Sequence, residues 1–147
     1  MTHMPTENIS VIGAISPASG AGGNSGWLAV ADFAKVQAVG LIGATDHNID
    51  AKLEGASDGA GTGAADLAGY AITQLPNATA DNKQFTIDLK VQALAALGFT
   101  HVRFSIAGAG GAAALIAGVV LGYEPRTVAP GVARNAASVA QAVTVRP

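Results

Sequence analysis

Residues 23–26, Gly-Asn-Ser-Gly, have the small neighbours typical of a serine nucleophile. Such a serine needs a histidine as base and an aspartate that orients it, and for this motif both would lie far upstream. His3 is the only histidine that precedes Ser25. We therefore expect no catalysis at Ser25, and we expect residues 16–26 to form a flexible loop between two strands.

Residues 108–113, Gly-Ala-Gly-Gly-Ala-Ala, match the G-x-G-x-x-A spacing of a dinucleotide-binding turn. That turn normally opens an early βαβ unit, whereas this match comes late, with too little chain after it for the remaining strands and helices. No Gly-Lys-Ser/Thr sequence follows any glycine cluster, so a P-loop is not predicted either. The sequence predicts no cofactor.

Residues 46–50, Asp-His-Asn-Ile-Asp, gather oxygen and nitrogen atoms that could hold a divalent cation. The acidic spacing of a calcium-binding loop is absent, and nothing else in the sequence completes a coordination sphere. We expect a polar turn here and no metal. The chain has no cysteine, which excludes disulfides and thiolate ligands. These motifs together predict a protein that is not an enzyme.

Short segments of alternating apolar and polar residues must position these side chains. The clearest are residues 85–91, 100–106 and 49–54, whose period-two alternation predicts half-buried antiparallel strands. The first two could pair as neighbours. Further candidates, richer in Ala and Gly, are residues 8–15, 27–33, 35–44, 70–75 and 114–123. About eight such strands predict an all-β fold, an antiparallel β-sandwich of two sheets.

Glycine is frequent within these segments, and 19 glycines occur in the chain. Glycine weakens a strand, so its frequency indicates bulges, tight contacts between the sheets or mistaken strand boundaries. One stretch, residues 91–97, suits two turns of helix that end at Gly98. We expect at most one short helix, and we expect it there.

The 147-residue chain is only 12% charged, about half of an average composition. Part of the surface could therefore be buried in an oligomer or an assembly, although abundant Gly and Ala could also simply dilute the charges. The net charge of −2 argues against nucleic acid as a partner. Arg126, Arg134 and Arg146 are widely spaced, and we expect them to meet protein carboxylates.

The first eight residues lack the basic and apolar regions of a secretory signal, which predicts folding in the cytoplasm. Residues 105–122 are uncharged and long enough on paper to span a membrane. Because they continue an alternating strand and contain a glycine-rich turn, we interpret them as strand, turn and strand instead.

Trp27, the only tryptophan, could anchor the core or an interface. Tyr123 ends the last strong strand, and Pro125 stops the ladder there. We predict a sandwich domain over residues 1–126 and an extended C-terminal arm over residues 127–147, which has no material for a core of its own and either wraps a neighbour or stays mobile. The candidate interface residues are Trp27, Tyr123, Arg126 and Arg134.

Six short segments, spread over most of the chain, resemble small structural proteins encoded among the head genes of tailed bacteriophages. They are residues 8–15, 49–54, 61–64, 71–75, 99–103 and 121–126. Some of that group are capsid cement, or decoration, proteins with jelly-roll-like β-sandwiches. These sit outside the head and clamp neighbouring major capsid subunits.

The resemblance implies a jelly-roll-like fold, a place on the exterior of the virion, the major capsid protein as partner and a homo-oligomer on the capsid surface. It implies no nucleic-acid or membrane partner. Two alternatives stay open. One is a head-tail connector, tail or spike component, and the other is a carbohydrate-binding jelly-roll module, which the aromatic content of 5% disfavours.

Overall fold

The computed structural model describes residues 5–109 and 114–126. Within them lie nine strands and three short helices. The strands are β1 (Ile9–Gly20), β2 (Gly22–Asn24), β3 (Leu28–Ala29), β4 (Phe33–Thr45), β5 (Ile49–Ala56), β6 (Ala65–Ala71), β7 (Gln84–Lys90), β8 (His101–Gly108) and β9 (Ala114–Pro125). The helices are α1 (Pro5–Asn8), α2 (Asn77–Ala80) and α3 (Val91–Ala96).

The strands form two antiparallel sheets. Sheet A has the order β1-β9-β4-β7, and sheet B has the order β2-β8-β5-β6, with β3 also paired to β8. If β2 and β3 are counted as one interrupted strand, each sheet has four strands and the chain crosses between the sheets at every connection except β5 to β6. This is the strand arrangement of a jelly roll, so the predicted all-β sandwich is confirmed.

The core lies between the inner faces of the two sheets, where alternate residues of each strand point. Sheet A contributes Val36 and Val120, and sheet B contributes Leu53, Phe104 and Ile106, all at most 1% exposed. The strand that contains Phe104 has the burial alternation that its sequence predicts, with His101, Arg103 and Ser105 on the outer face. Period-two patterning therefore assigns the faces of β7 and β8 correctly.

Glycines within the strands make room for large side chains on the inner faces. A Cβ at Gly118 of β9 would lie 2.8 Å from Cε1 of Phe104 in the opposite sheet, and a Cβ at Gly13 would lie 2.5 Å from Cδ1 of Leu28. Gly40 lies directly opposite Phe85, whose ring covers its backbone. The tight inter-sheet contacts that the glycine content indicated are therefore present.

Helix α3 confirms the predicted helix over residues 91–97. It follows β7 directly, buries Val91 and Leu94, and ends before Gly98, whose φ of +80° is the left-handed conformation that favours glycine. The single-turn helices α1 and α2 contradict the prediction of at most one short helix.

Four local predictions are wrong. Residues 85–91 and 100–106 do not pair, because β7 lies in sheet A beside β4 and β8 lies in sheet B. Residues 16–26 are not a loop, since β1 continues to Gly20 and β2 follows it. Only two residues of 27–33 form a separate strand, and β6 begins five residues before the predicted 70–75. The predicted arm, residues 127–147, lies outside the described residues.

Candidate interaction surface

The outer face of sheet A carries a continuous apolar surface across β1, β9 and β4. At its centre, Val119 lies opposite Ala14 on one side and Val39 on the other. Leu41 and Leu115 are each 46% exposed, and the other members are half-buried. We call this surface the apolar face, and it consists of Ile9, Val11, Ala14, Val39, Leu41, Leu115, Ala117, Val119 and Leu121.

The sequence of β9 explains why this face is apolar. Its inward residues Ile116 and Val120 alternate with outward residues that are equally apolar, such as Val119 and Leu121. An antiparallel strand with one solvated face normally carries polar residues at the outward positions. A contiguous exposed apolar surface on a folded domain is typical of a protein–protein contact. The apolar face is therefore the candidate interaction surface.

The outer face of sheet A becomes polar where β7 joins the sheet. The Tyr123 hydroxyl donates a hydrogen bond of 2.9 Å to Oε1 of Gln37, and Nε2 of Gln37 donates one of 2.7 Å to Oδ1 of Asp88. Lys35 forms an ion pair with Glu124 beside this row. The predicted interface residue Tyr123 thus lies on the outer face of sheet A, directly opposite Ile9 and Lys35 in the two neighbouring strands.

Trp27 lies on the opposite side of the molecule, on the outer face of sheet B. The guanidinium carbon of Arg103 is 4.5 Å from the centre of its ring, a cation–π contact. The backbone of Gly61 packs against the indole nitrogen, so the ring holds down the loop between β5 and β6. The interpretation of Trp27 as a core anchor is wrong, because the ring is half-buried outside the sandwich. The structure does not bring Trp27 and Tyr123 together.

A charged network surrounds that ring on sheet B. Nε of Arg103 donates a hydrogen bond of 2.8 Å to Oε2 of Glu54, and the Ser105 hydroxyl donates one of 3.1 Å to the same oxygen. The Arg103 hydrogen bond, joined by that of Ser105, outweighs desolvation and lowers the pKa of Glu54. The hydrogen bond to Asp66 is the main cause of the raised pKa of Lys52. Opposite charges are paired across β8, β5 and β6, so the outer face of sheet B is polar and its charged side chains bind neighbouring strands to each other.

The two arginine predictions have different outcomes. Arg126 is exposed directly after β9, and its backbone N–H donates a hydrogen bond of 2.7 Å to the carbonyl oxygen of Asp32. The contact of the Arg126 side chain with a protein partner stays a prediction. Arg134 lies outside the described residues.

The candidate nucleophile and the candidate metal ligands are bound to neighbouring chain segments. The Ser25 hydroxyl accepts a hydrogen bond from the Phe104 N–H and donates one to the Gly26 carbonyl, which extends the pairing at the edge of β8. Asn48 donates to Gln74, and Gln74 donates to both carboxylate oxygens of Asp50. These contacts give residues 46–50 the polar turn that their sequence predicts.

Among residues 5–109 and 114–126, no three His, Asp or Glu side chains come close enough to share a metal ion. In the same ranges, no helix has the length and apolar character needed to cross a membrane. The glycine-rich motif at residues 108–113 is described only at its start, where the Gly108 and Ala109 N–H groups donate to the carbonyl oxygens of Ala21 and Asn48.

Sequence reasoning missed the apolar face. Residues 35–44 and 114–123 were predicted as strands, but their nearly unbroken apolar character hid which residues point outward. The signal was present, because apolar residues at both odd and even positions are typical of strands whose two faces are both covered. No protein-family model matches this chain, and no match is found among curated proteins.

Proposed function

We propose that this protein decorates the head of a tailed bacteriophage, docking on the outside of the shell and bridging major capsid subunits. The observation that carries the proposal is the apolar face of sheet A. Leu41 and Leu115 are among the few exposed large apolar side chains in the described residues, and they lie on one face with seven further apolar residues. The six sequence segments that resemble phage head proteins support the major capsid protein as the partner.

The apolar face would supply the attachment. Burying its leucines and valines against a capsid subunit removes apolar surface from water, which favours association by about 25 cal/mol per Å². Neighbouring copies on the shell would form a homo-oligomer.

A rigid sandwich suits this bridging role. Each contact made after the first becomes effectively intramolecular, so a modest surface on every copy suffices to hold a shell of many copies. The protein would be made in the bacterial cytoplasm and would end on the exterior of the virion, with the major capsid protein as its partner. The proposal involves no cofactor, nucleic acid, membrane or catalytic step.

The test is co-sedimentation and cryo-EM of the protein with shells of the major capsid protein encoded in the same genome. We expect saturable, symmetric occupancy for the wild type. L115E places a carboxylate on the apolar face at one of its two most exposed leucines, so we expect affinity to fall by at least about tenfold. The matched control is L97E, because Leu97 is 60% exposed but lies at the end of α3 and does not belong to the apolar face.

Equal binding by L115E and L97E would contradict docking through the apolar face. No occupancy of the shell, with the protein found instead in tails or at one vertex, would replace the decoration role with that of a connector, tail or spike component. Deleting residues 127–147 tests the predicted arm, and we expect weaker attachment with an unchanged unfolding temperature.

A further inference from the structure

A cleft of about 660 Å³ lies at the polar end of sheet A, where β9, β4 and β7 meet β6 of sheet B. Its volume is within the range of small-molecule sites, roughly 300–1,000 Å³. The side chains that carry the following argument are Lys35, Gln37, Tyr70, Asp88, Lys90 and Tyr123. The cleft is separate from the exposed leucines of the apolar face.

The cleft holds both tyrosines of the chain, although they come from different sheets. Tyr123 lies in β9, while Tyr70 lies in a bulged part of β6. There, four residues of β6 lie between Asp66 and Ala71, the partners of Glu54 and Lys52, and Gly69 has a φ of +85°. Bulges commonly redirect a side chain beside a functional site. The bulge brings Tyr70 to the rim of sheet A.

Hydrogen bonds between the strands fix the polar groups of the cleft. Tyr123 donates to Gln37 and Gln37 donates to Asp88, so the amide is held in one orientation. Within the described residues, Oδ2 of Asp88 accepts no hydrogen bond and Lys90 forms no ion pair. The cleft therefore offers a fixed carboxylate acceptor and an ammonium donor beside two phenol rings.

We infer that this cleft binds a neutral sugar unit of a saccharide. A pyranose ring presents apolar C–H faces that pack on phenol rings and hydroxyl groups that both donate and accept hydrogen bonds. Asp88 would accept from one hydroxyl and Lys90 would donate to its neighbour. Lys35 is already paired with Glu124, and Lys90 balances Asp88, so the cleft has no excess charge to attract an acidic ligand.

The experiment uses the full chain labelled with ¹⁵N and a panel of methyl hexopyranosides and their disaccharides. We expect at least one of them to shift the amide signals of residues 35–37, 88–90 and 123 in a saturable way. D88N should raise the Kd of that saccharide about 3- to 10-fold. The matched control is D50N, because Asp50 also accepts from a glutamine but lies on sheet B; its Kd should be unchanged.

Tyr70 is tested by two variants, because its ring also packs against the core. Y70F keeps the ring and Y70A removes it, so a site that stacks a sugar should tolerate the first and lose binding with the second. D88N should still bind capsid shells, which separates this site from the proposed docking. Absence of shifts at these amides with every saccharide, equal effects of D88N and D50N, or protection of these amides by the shell itself would overturn the inference.

Discussion

Gly118 gives a quantitative test of how the two sheets pack. In G118A the added methyl would lie 2.8 Å from Cε1 of Phe104 and 3.3 Å from Cδ1 of Ile15, closer than the 3.5–4.0 Å of an ordinary contact. Both neighbours are buried, with Phe104 at 0% and Ile15 at 4% exposure, so neither can move into solvent. The substitution therefore forces the sheets apart or the ring off its rotamer.

The expected cost combines two opposing effects. Overpacking a core by one methyl group costs about 1–3 kcal/mol. Replacing glycine by alanine inside a strand returns about 0.5–1 kcal/mol, because the unfolded chain loses less entropy on folding. We expect G118A to lower the free energy of unfolding by roughly 0.5–2 kcal/mol, which for a chain of this length lowers Tm by about 2–4 °C per kcal/mol.

Urea denaturation, followed by circular dichroism and by the fluorescence of Trp27, measures the change. The control is G20A, because a Cβ at Gly20 meets nothing within 4 Å; it should be neutral or stabilising. Adding F104L to G118A should relieve the overlap, giving a coupling energy of about 0.5–3 kcal/mol in a double-mutant cycle. If G118A is as stable as G20A, the inter-sheet contact at Phe104 is not tight and the reasoning fails.

Two further predictions concern sheet B. The pKa of Glu54 is lowered on folding, so its stabilisation is complete above the unfolded value of about 4.5 and is lost as the pH falls through the folded value. E54Q should remove on the order of 1 kcal/mol at neutral pH and flatten the acid limb of the stability curve, whereas an unchanged limb would show that the Arg103 contact adds nothing. G61A places a methyl against the indole of Trp27 at a φ of +85°, and it should destabilise the protein and shift the tryptophan emission. G63A has a similar φ of +66° but open space, so it should destabilise without the emission shift; identical spectra for the two variants would contradict the contact.

The sequence predicts where the strands of this fold lie better than it predicts which strands pair with each other. Residues 85–91 show which side chains face the core, because period-two alternation records burial directly. Alternation carries no information about which strands pair, and for that reason the prediction that residues 85–91 pair with residues 100–106 failed. Sequence adjacency favoured it, but in this jelly roll β7 and β8, like most consecutive strands, lie in opposite sheets.

The candidate surfaces were harder to predict for a different physical reason. Trp27 is large and apolar, which favours burial, yet its contact with Arg103 and Gly61 holds it outside the sandwich. Tyr70 and Tyr123 are far apart in the sequence, and they share a cleft only because a bulge in β6 brings one of them to the other sheet. Tyr123 was predicted as an interface residue at the end of a strand; the structure places it on the outer face of sheet A, and its contact with a partner stays a prediction.

The position of β9 has a consequence for how the polypeptide acquires its structure during synthesis. β9 is the last strand of the described residues; it lies between β1 and β4, and Ile9 is opposite Tyr123. Sheet A therefore lacks one of its two central strands until the ribosome has made residue 125. Loop closure over more than a hundred residues must precede the completion of the sheet. Chains dominated by such distant pairings fold slowly. A nascent chain that stops before β9 would expose two long apolar strands, β1 and β4, with no partner between them.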